Sequence, residues 1–200
     1  MTDLEKALED IADIRDRVQA TRAFHGFGPL VVAATGVLGL IAGALQATVP
    51  ALQSGAGWMN LWHGVALIAV GLIFGEMALR RRKETQGLSN SDLWTAFERF
   101  MPAFFTGGAL SLALWSSASD LIWLLPGLWS ILLGLGLFAA LPTLPGGIRI
   151  VAGWYLLAGL GALIWALGAR ATPPLVMVIP FAGGQFLMAF QLERAKRRVP

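Results

Sequence analysis

The chain has 200 residues, 56% of them hydrophobic and 14% charged, a formal net charge of +3 and no cysteine. A soluble domain carries about 25% charged residues; with a mean hydropathy of +0.66 this chain has too little polar surface to coat a globule of its size, and a membrane protein is expected. The lack of cysteine excludes disulfides, thiolate metal sites and thiol nucleophiles.

Residues 2–22 read as an amphipathic cytoplasmic helix. Thr2 and Glu5 have capping-box spacing. Six acids from Asp3 to Asp16 precede the bases Arg17 and Arg22, a polarity that suits the helix dipole. Leu4, Ala7, Ile11, Ile14 and Val18 form an apolar stripe, too short for a convincing coiled coil. Its cover is the chain's own inner loops, a partner protein or a second copy. The acids also argue against a cleavable signal peptide, which wants a basic leader. The cytoplasmic element and its hinge occupy 1–26. Within "FHGFGP", Gly26 and Gly28 permit a turn and Pro29 opens the first span.

A transmembrane domain over 27–192 follows, with apolar runs at about 28–48, 58–79, 102–118, 121–141, 149–168 and 174–192. Each is long enough to cross a hydrocarbon core of about 30 Å as a helix. Strands are excluded by the lack of alternation. Between the second and third runs, Leu93, Trp94, Phe97, Phe100 and Met101 predict an interfacial helix at 91–101, ended where Pro102 turns the chain inward. A basic tail, 193–200, closes the sequence. Of the 15 lysines and arginines, all but Arg170 fall on one side of this topology, which makes that side cytoplasmic and puts both termini there. The run Arg80–Lys83 reads as a stop-transfer and headgroup contact; nucleic acid is not expected as a partner. Trp58, Trp62, Trp115, Trp123 and Trp165 fall near the expected outer ends, where indoles favour headgroups.

The expected fold is an all-α six-helix bundle of three consecutive hairpins with weak threefold character. Arg22 and Pro29 before the first span are echoed by Arg99 and Pro102 before the third, and more loosely by Arg149 in the fifth. Small residues recur every fourth position, as in Thr35/Gly39/Gly43, Pro126/Ser130/Gly134 and Gly71/Gly75. Such stripes allow close helix packing within one chain, or across a homodimer.

Ionisable and polar groups within the spans mark candidate sites. An inner-face set of Arg22, His25, Glu76, Arg99 and Arg149 suits an anionic ligand or lipid headgroups. Glu76 is also spaced to pair with Arg80. Thr35, Thr106, Ser111 and Gln185 form a candidate intramembrane cluster, either a small polar cavity or ordinary interhelical hydrogen bonding. Asn60, His63, Asp120 and Arg170 form a weaker outer-face set. His25 and His63 fall on opposite sides, so they cannot share a haem or metal ion, and no cofactor is expected. No catalytic motif is present.

"FHGFGPLVVAATG" and "LPGLWSILLGLGLFAALPTLP", residues 24–36 and 125–145, resemble signature stretches of a bacterial six-span family whose members are called hypothetical membrane proteins. The resemblance covers the whole chain, including "IADIRD" at 11–16. Ser130 stands where that family's pattern has Gln, which weakens any polar role there. The resemblance implies the six-span fold, a bacterial inner membrane and winged-helix regulators as companions; it assigns no catalytic residues.

Three functional expectations result. The first is a non-enzymatic sensory, regulatory or scaffold module that engages a partner, or a second copy, through residues 2–18. The second is a small permease or a carrier of lipid or another hydrophobic ligand. The third, disfavoured because the polar groups do not converge, is an intramembrane enzyme. Membrane lipids are expected partners in every case.

Overall fold

The structure is a computed structural model. It describes residues 28–83 and 90–197, with side chains described outside 80–83 and 90–97. The helix expected at 2–22, with Arg22 and His25, lies outside the described residues, as does the end of the basic tail. Among the described residues all regular structure is helical: α1 (Pro29–Thr48), α2 (Gly55–Lys83), α3 (Asn90–Ser117), α4 (Leu125–Ala140), α5 (Ile148–Ala169) and α6 (Pro174–Lys196). Short 3-10 turns flank α4 at Ser119–Leu124 and Leu141–Thr143. By length and composition, α1, α2, α4 with its flanking turns, α5 and α6 can each cross a membrane.

The helix boundaries follow from local chemistry. Proline lies in the first turn of α1, α4 and α6, where its missing N–H costs nothing. Arg170 ends α5 in the left-handed region at φ 47°. Two expectations are met only in part: among the described residues α3 is not one of the helices long and apolar enough to cross a membrane, and Pro102 does not divide it. A separate interfacial helix at 91–101 is not formed; α3 runs through the proline as one helix. Proline removes a single i→i−4 bond, whereas a break in apolar surroundings would strand several backbone groups.

Neighbouring helices pack in the order α2, α1, α6, α5, α4, α3. The tightest pairs are α4 with α5 and α1 with α6. Glycine makes both possible. A Cβ on Gly127 would stand 2.8 Å from Gly159 O, and one on Gly159 would stand 2.8 Å from Gly127 O. In α1, Gly36, Gly39 and Gly43 seat Phe186, Phe181 and Val178 of α6. The small-residue stripes of α1 and α4 are therefore seats within the chain, while Gly71 and Gly75 on α2 are uncovered. Among the described residues the order does not close into a ring, because α2 and α3, consecutive in sequence, make no extended contact there.

The interior divides into two clusters. One, around Trp58, Trp62, Ile122, Leu125 and Met177, joins α1, α2, α4 and α6. The other, around Val32, Leu137, Val151, Tyr155 and Met188, joins α1, α4, α5 and α6 and has no residue from α2. Accordingly, only 17% of the apolar window of α2 is buried, against 33–44% in the other four spans. The second cluster lies towards the end where α1, α3 and α5 begin. Arg99, Arg149 and Arg194 belong to that end, called the basic end below.

Candidate functional site

Because α2 joins one cluster and leaves the other, a space opens between α2, α3 and the second cluster. It is a cavity of about 350 Å³. On α2 its lining runs from Trp62 to Met77, and on α3 from Phe100 to Ser111. At 1.5 Å per residue these stretches are about 22 and 17 Å long. The back wall comes from Leu133 and Leu137 of α4, with Tyr155 and Gln185 behind. The lining is almost wholly hydrocarbon, and α2 and α3 both contribute to it without extended contact between their described residues.

The end away from the basic end is closed by aromatic rings. Trp58 stacks on Trp129 at 5.5 Å between centroids, with planes 12° apart. His63 meets Trp129 edge-on at 5.0 Å. Trp129 Nε1 donates to Ser111 Oγ at 2.9 Å, which ties α4 to α3, and Ser111 in turn donates to Gly107 O at 2.7 Å. His63 Nδ1 lies 2.8 Å from Met59 O, an acceptor only, so that nitrogen carries the proton. Trp62, His63 and Trp129 together form a floor under the cavity.

One polar group of three sits in the back wall. Thr35 Oγ1 is 2.7 Å from Val32 O and 3.0 Å from one terminus of the Gln185 amide, whose other terminus is 3.1 Å from the Tyr155 hydroxyl. A hydroxyl has one proton, so Thr35 cannot donate fully to two carbonyl oxygens. The amide is placed with Oε1 accepting from Thr35 and Nε2 donating to Tyr155; exchanging its two ends, which are nearly alike in shape, removes the conflict. Gln185 then donates to Thr35, Thr35 donates to Val32 O, and Tyr155 donates to Gln185. The group satisfies itself and makes no demand on a ligand.

Of the expected inner-face set, Arg22 and His25 lie outside the described residues. Glu76 Oε2 accepts the Gly28 backbone N–H at 2.7 Å. It thus serves an orphan amide at the start of α1, where no side chain of α1 provides a cap. Arg99 and Arg149 are exposed on separate helices. Within the intramembrane set, Thr35 and Gln185 meet, but Ser111 lies on another wall of the cavity. Thr106 is exposed and bonds back to Pro102 O at 2.7 Å, so it lines no polar pocket. Asn60, Asp120 and Arg170 are exposed, whereas His63 faces the cavity. Trp58 and Trp62 are fully buried rather than at a lipid interface.

Sequence reasoning missed two residues here. Gln46 is fully buried, accepts Trp62 Nε1 at 2.8 Å and donates to Thr172 O. Tyr155, the chain's one tyrosine, completes the Gln185 group. A lone polar residue inside an apolar run was the available signal for each. Among the described residues, no three His, Asp or Glu side chains are grouped to hold a metal ion. Compared with protein-family models, curated proteins and solved structures, the chain finds no match.

Proposed function

We propose that this chain is an integral protein of a bacterial inner membrane, with six spans and both termini in the cytoplasm. It binds a hydrophobic ligand taken from the bilayer, as a carrier or small permease, and performs no chemistry on it. The observation that supports this reading is the 350 Å³ apolar cavity lined by both α2 and α3. Pockets of about 300–1,000 Å³ are the usual size for small-molecule sites. In a membrane, a gap between helices that is as apolar as lipid fills with lipid-like matter at little cost.

The six spans make three hairpins about an axis along the membrane normal. In that arrangement α2–α3 is the counterpart of the close α4–α5 and α6–α1 pairs. The cavity stands in place of the third close pair. The resemblance to the bacterial six-span family fits this arrangement and the inner-membrane address.

The test is native mass spectrometry of the full chain extracted in mild detergent. A hydrophobic molecule should remain with it, and should be lost from a Val70→Trp/Gly108→Trp variant. Both positions line the cavity, and a Cβ at Gly108 meets nothing within 4 Å. Identical cargo on the parent and this variant would overturn the reading.

A second reading, a regulatory module, rests on the apolar stripe Leu4, Ala7, Ile11, Ile14 and Val18. Deleting residues 1–22 should then release copurifying proteins while leaving the cavity's cargo in place.

A further inference from the structure

We infer that the ligand is a single unbranched acyl chain with an anionic head at the basic end, and that Trp62, His63 and Trp129 set the longest chain accepted. This rests on the proposed function and specifies its ligand.

Cross-section decides the class. Spread over the roughly 17–22 Å that α2 and α3 line, a cavity of about 350 Å³ averages roughly 16–20 Å² across. Because that volume is the space open to the centre of a water-sized sphere of about 1.4 Å radius, the walls stand about 7–8 Å apart. A helix with side chains is about 10–12 Å across and does not fit. A single file of carbon atoms at van der Waals separation, about 3.5–4.0 Å, does. The groove therefore suits one hydrocarbon chain rather than a partner's transmembrane helix.

Direction follows from the two ends. The floor is closed by three rings, two of them locked: Trp129 by Ser111 and by the Trp58 stack, Trp62 by Gln46. A polar head cannot be accommodated there without opening the packed cluster beneath. At the other end the described lining runs as far as Met77, Phe100 and Met101. Arg99 is exposed at the residue before Phe100, and α2 continues beyond Met77 into Arg80–Lys83. A carboxylate or phosphate at that level meets the exposed Arg99 on the α3 rim. The chain slides sideways between α2 and α3 while its head stays at the membrane surface.

Length follows from the floor. A 1.52 Å bond and a 111° angle advance an extended chain by about 1.25 Å per carbon. The described depth therefore takes at least about 13–18 carbons. Gly108 lies three residues nearer the basic end than Ser111, about 4.5 Å. A leucine there should shorten the limit by about four carbons without disturbing neighbours, since its Cβ has open space. Removing a ring from the floor with His63→Ala should move the limit the other way.

The test offers the delipidated full chain an equimolar series of saturated fatty acids that spans the expected limit. Native mass spectrometry then reads the retained lengths. The parent should show a sharp upper limit, Gly108→Leu a lower one by about four carbons, and His63→Ala a higher one. Opposite shifts in the two variants are not produced by partial unfolding. Retention of every length equally, or the same limit in all three proteins, would overturn the ruler while leaving ligand binding intact. Failure of the parent to retain any chain would instead overturn the proposed function itself. Lipid extracted with the parent identifies the natural source: free fatty acid and single-chain lysophospholipid both support the inference, and a two-chain, ring-shaped or branched hydrophobe opposes it.

Discussion

Trp62 Nε1 donates to Gln46 Oε1 at 2.8 Å, and both side chains are fully buried. The same Gln46 amide donates to Thr172 O, so one side chain of α1 joins α2 to the segment before α6. These bonds fix the part of α2 that forms the cavity floor. Gln46→Leu leaves the Trp62 N–H without a partner. A buried orphan donor costs about 1–3 kcal/mol, and interhelical hydrogen bonds in membranes average about 0.6 kcal/mol. A destabilisation of about 1–2 kcal/mol is expected, read as a lower melting temperature of the detergent-solubilised protein. Trp62→Phe should cost less in the Gln46→Leu background than alone, because the shared bond is already gone.

Glu76 makes the corresponding attachment at the basic end, through Gly28 N–H. A carboxylate at a helix N-terminus contributes about 0.3–1 kcal/mol, up to about 2 when partly buried. Glu76→Ala should therefore lower stability by about 1 kcal/mol. Glu76→Gln, which keeps an acceptor but loses the charge, should recover part of that. Equal melting temperatures for Glu76→Ala and the parent would show that the bond does not hold α2 to α1.

The helices were largely legible in the sequence because each is an apolar run bounded by proline, glycine or charge. The passage of α3 through Pro102 was not, since a proline reads as a stop whenever its surroundings are unknown. Which face of each helix is buried was also hidden. In α2, cavity-lining Val65 and Val70 and exposed Ile68 and Leu72 are chemically alike, and the hydrophobic pattern that sorts inside from outside in water is absent in lipid. For that reason Trp58 and Trp62 read as interfacial. The gap between the described residues of α2 and α3 is a missing contact, which no residue announces. Gln185 and Thr35 were visible as rare polar groups, but their partner Tyr155 was not, because a tyrosine in an apolar run also fits a lipid-facing position.

Two glycines give a contrast that tests the packing directly. Gly159→Ala drives a methyl group to 2.8 Å from Gly127 O and to 2.9 Å from Ile131 N, both backbone atoms that cannot rotate aside. Overpacking of this kind costs about 1–3 kcal/mol. Gly71→Ala meets nothing within 4 Å and should stabilise α2 by up to about 1 kcal/mol through helix propensity. Thermal melts of the two variants should move in opposite directions. A drop for Gly71→Ala comparable to that for Gly159→Ala would mean that the exposed face of α2 is covered by a second copy or a partner.

The Thr35–Gln185–Tyr155 group predicts a coupling that its hydrogen-bond arithmetic requires. With Tyr155 donating to Gln185 and Gln185 donating to Thr35, the amide orientation is set from both ends. Tyr155→Phe removes the donor to Gln185 Oε1 but leaves Thr35 able to hold the amide. Thr35→Val removes the acceptor for Nε2 but leaves Tyr155 in place. Each single change should cost about 1 kcal/mol. Losing both frees the Gln185 amide to turn towards the cavity, so the double variant should differ from the sum of the singles by at least about 0.5 kcal/mol. It should also admit polar ligands that the parent excludes. Strict additivity in the melts, together with unchanged exclusion of a hydroxylated fatty acid, would mean that the three residues act separately and that the back wall owes its apolar character to its hydrocarbon lining alone.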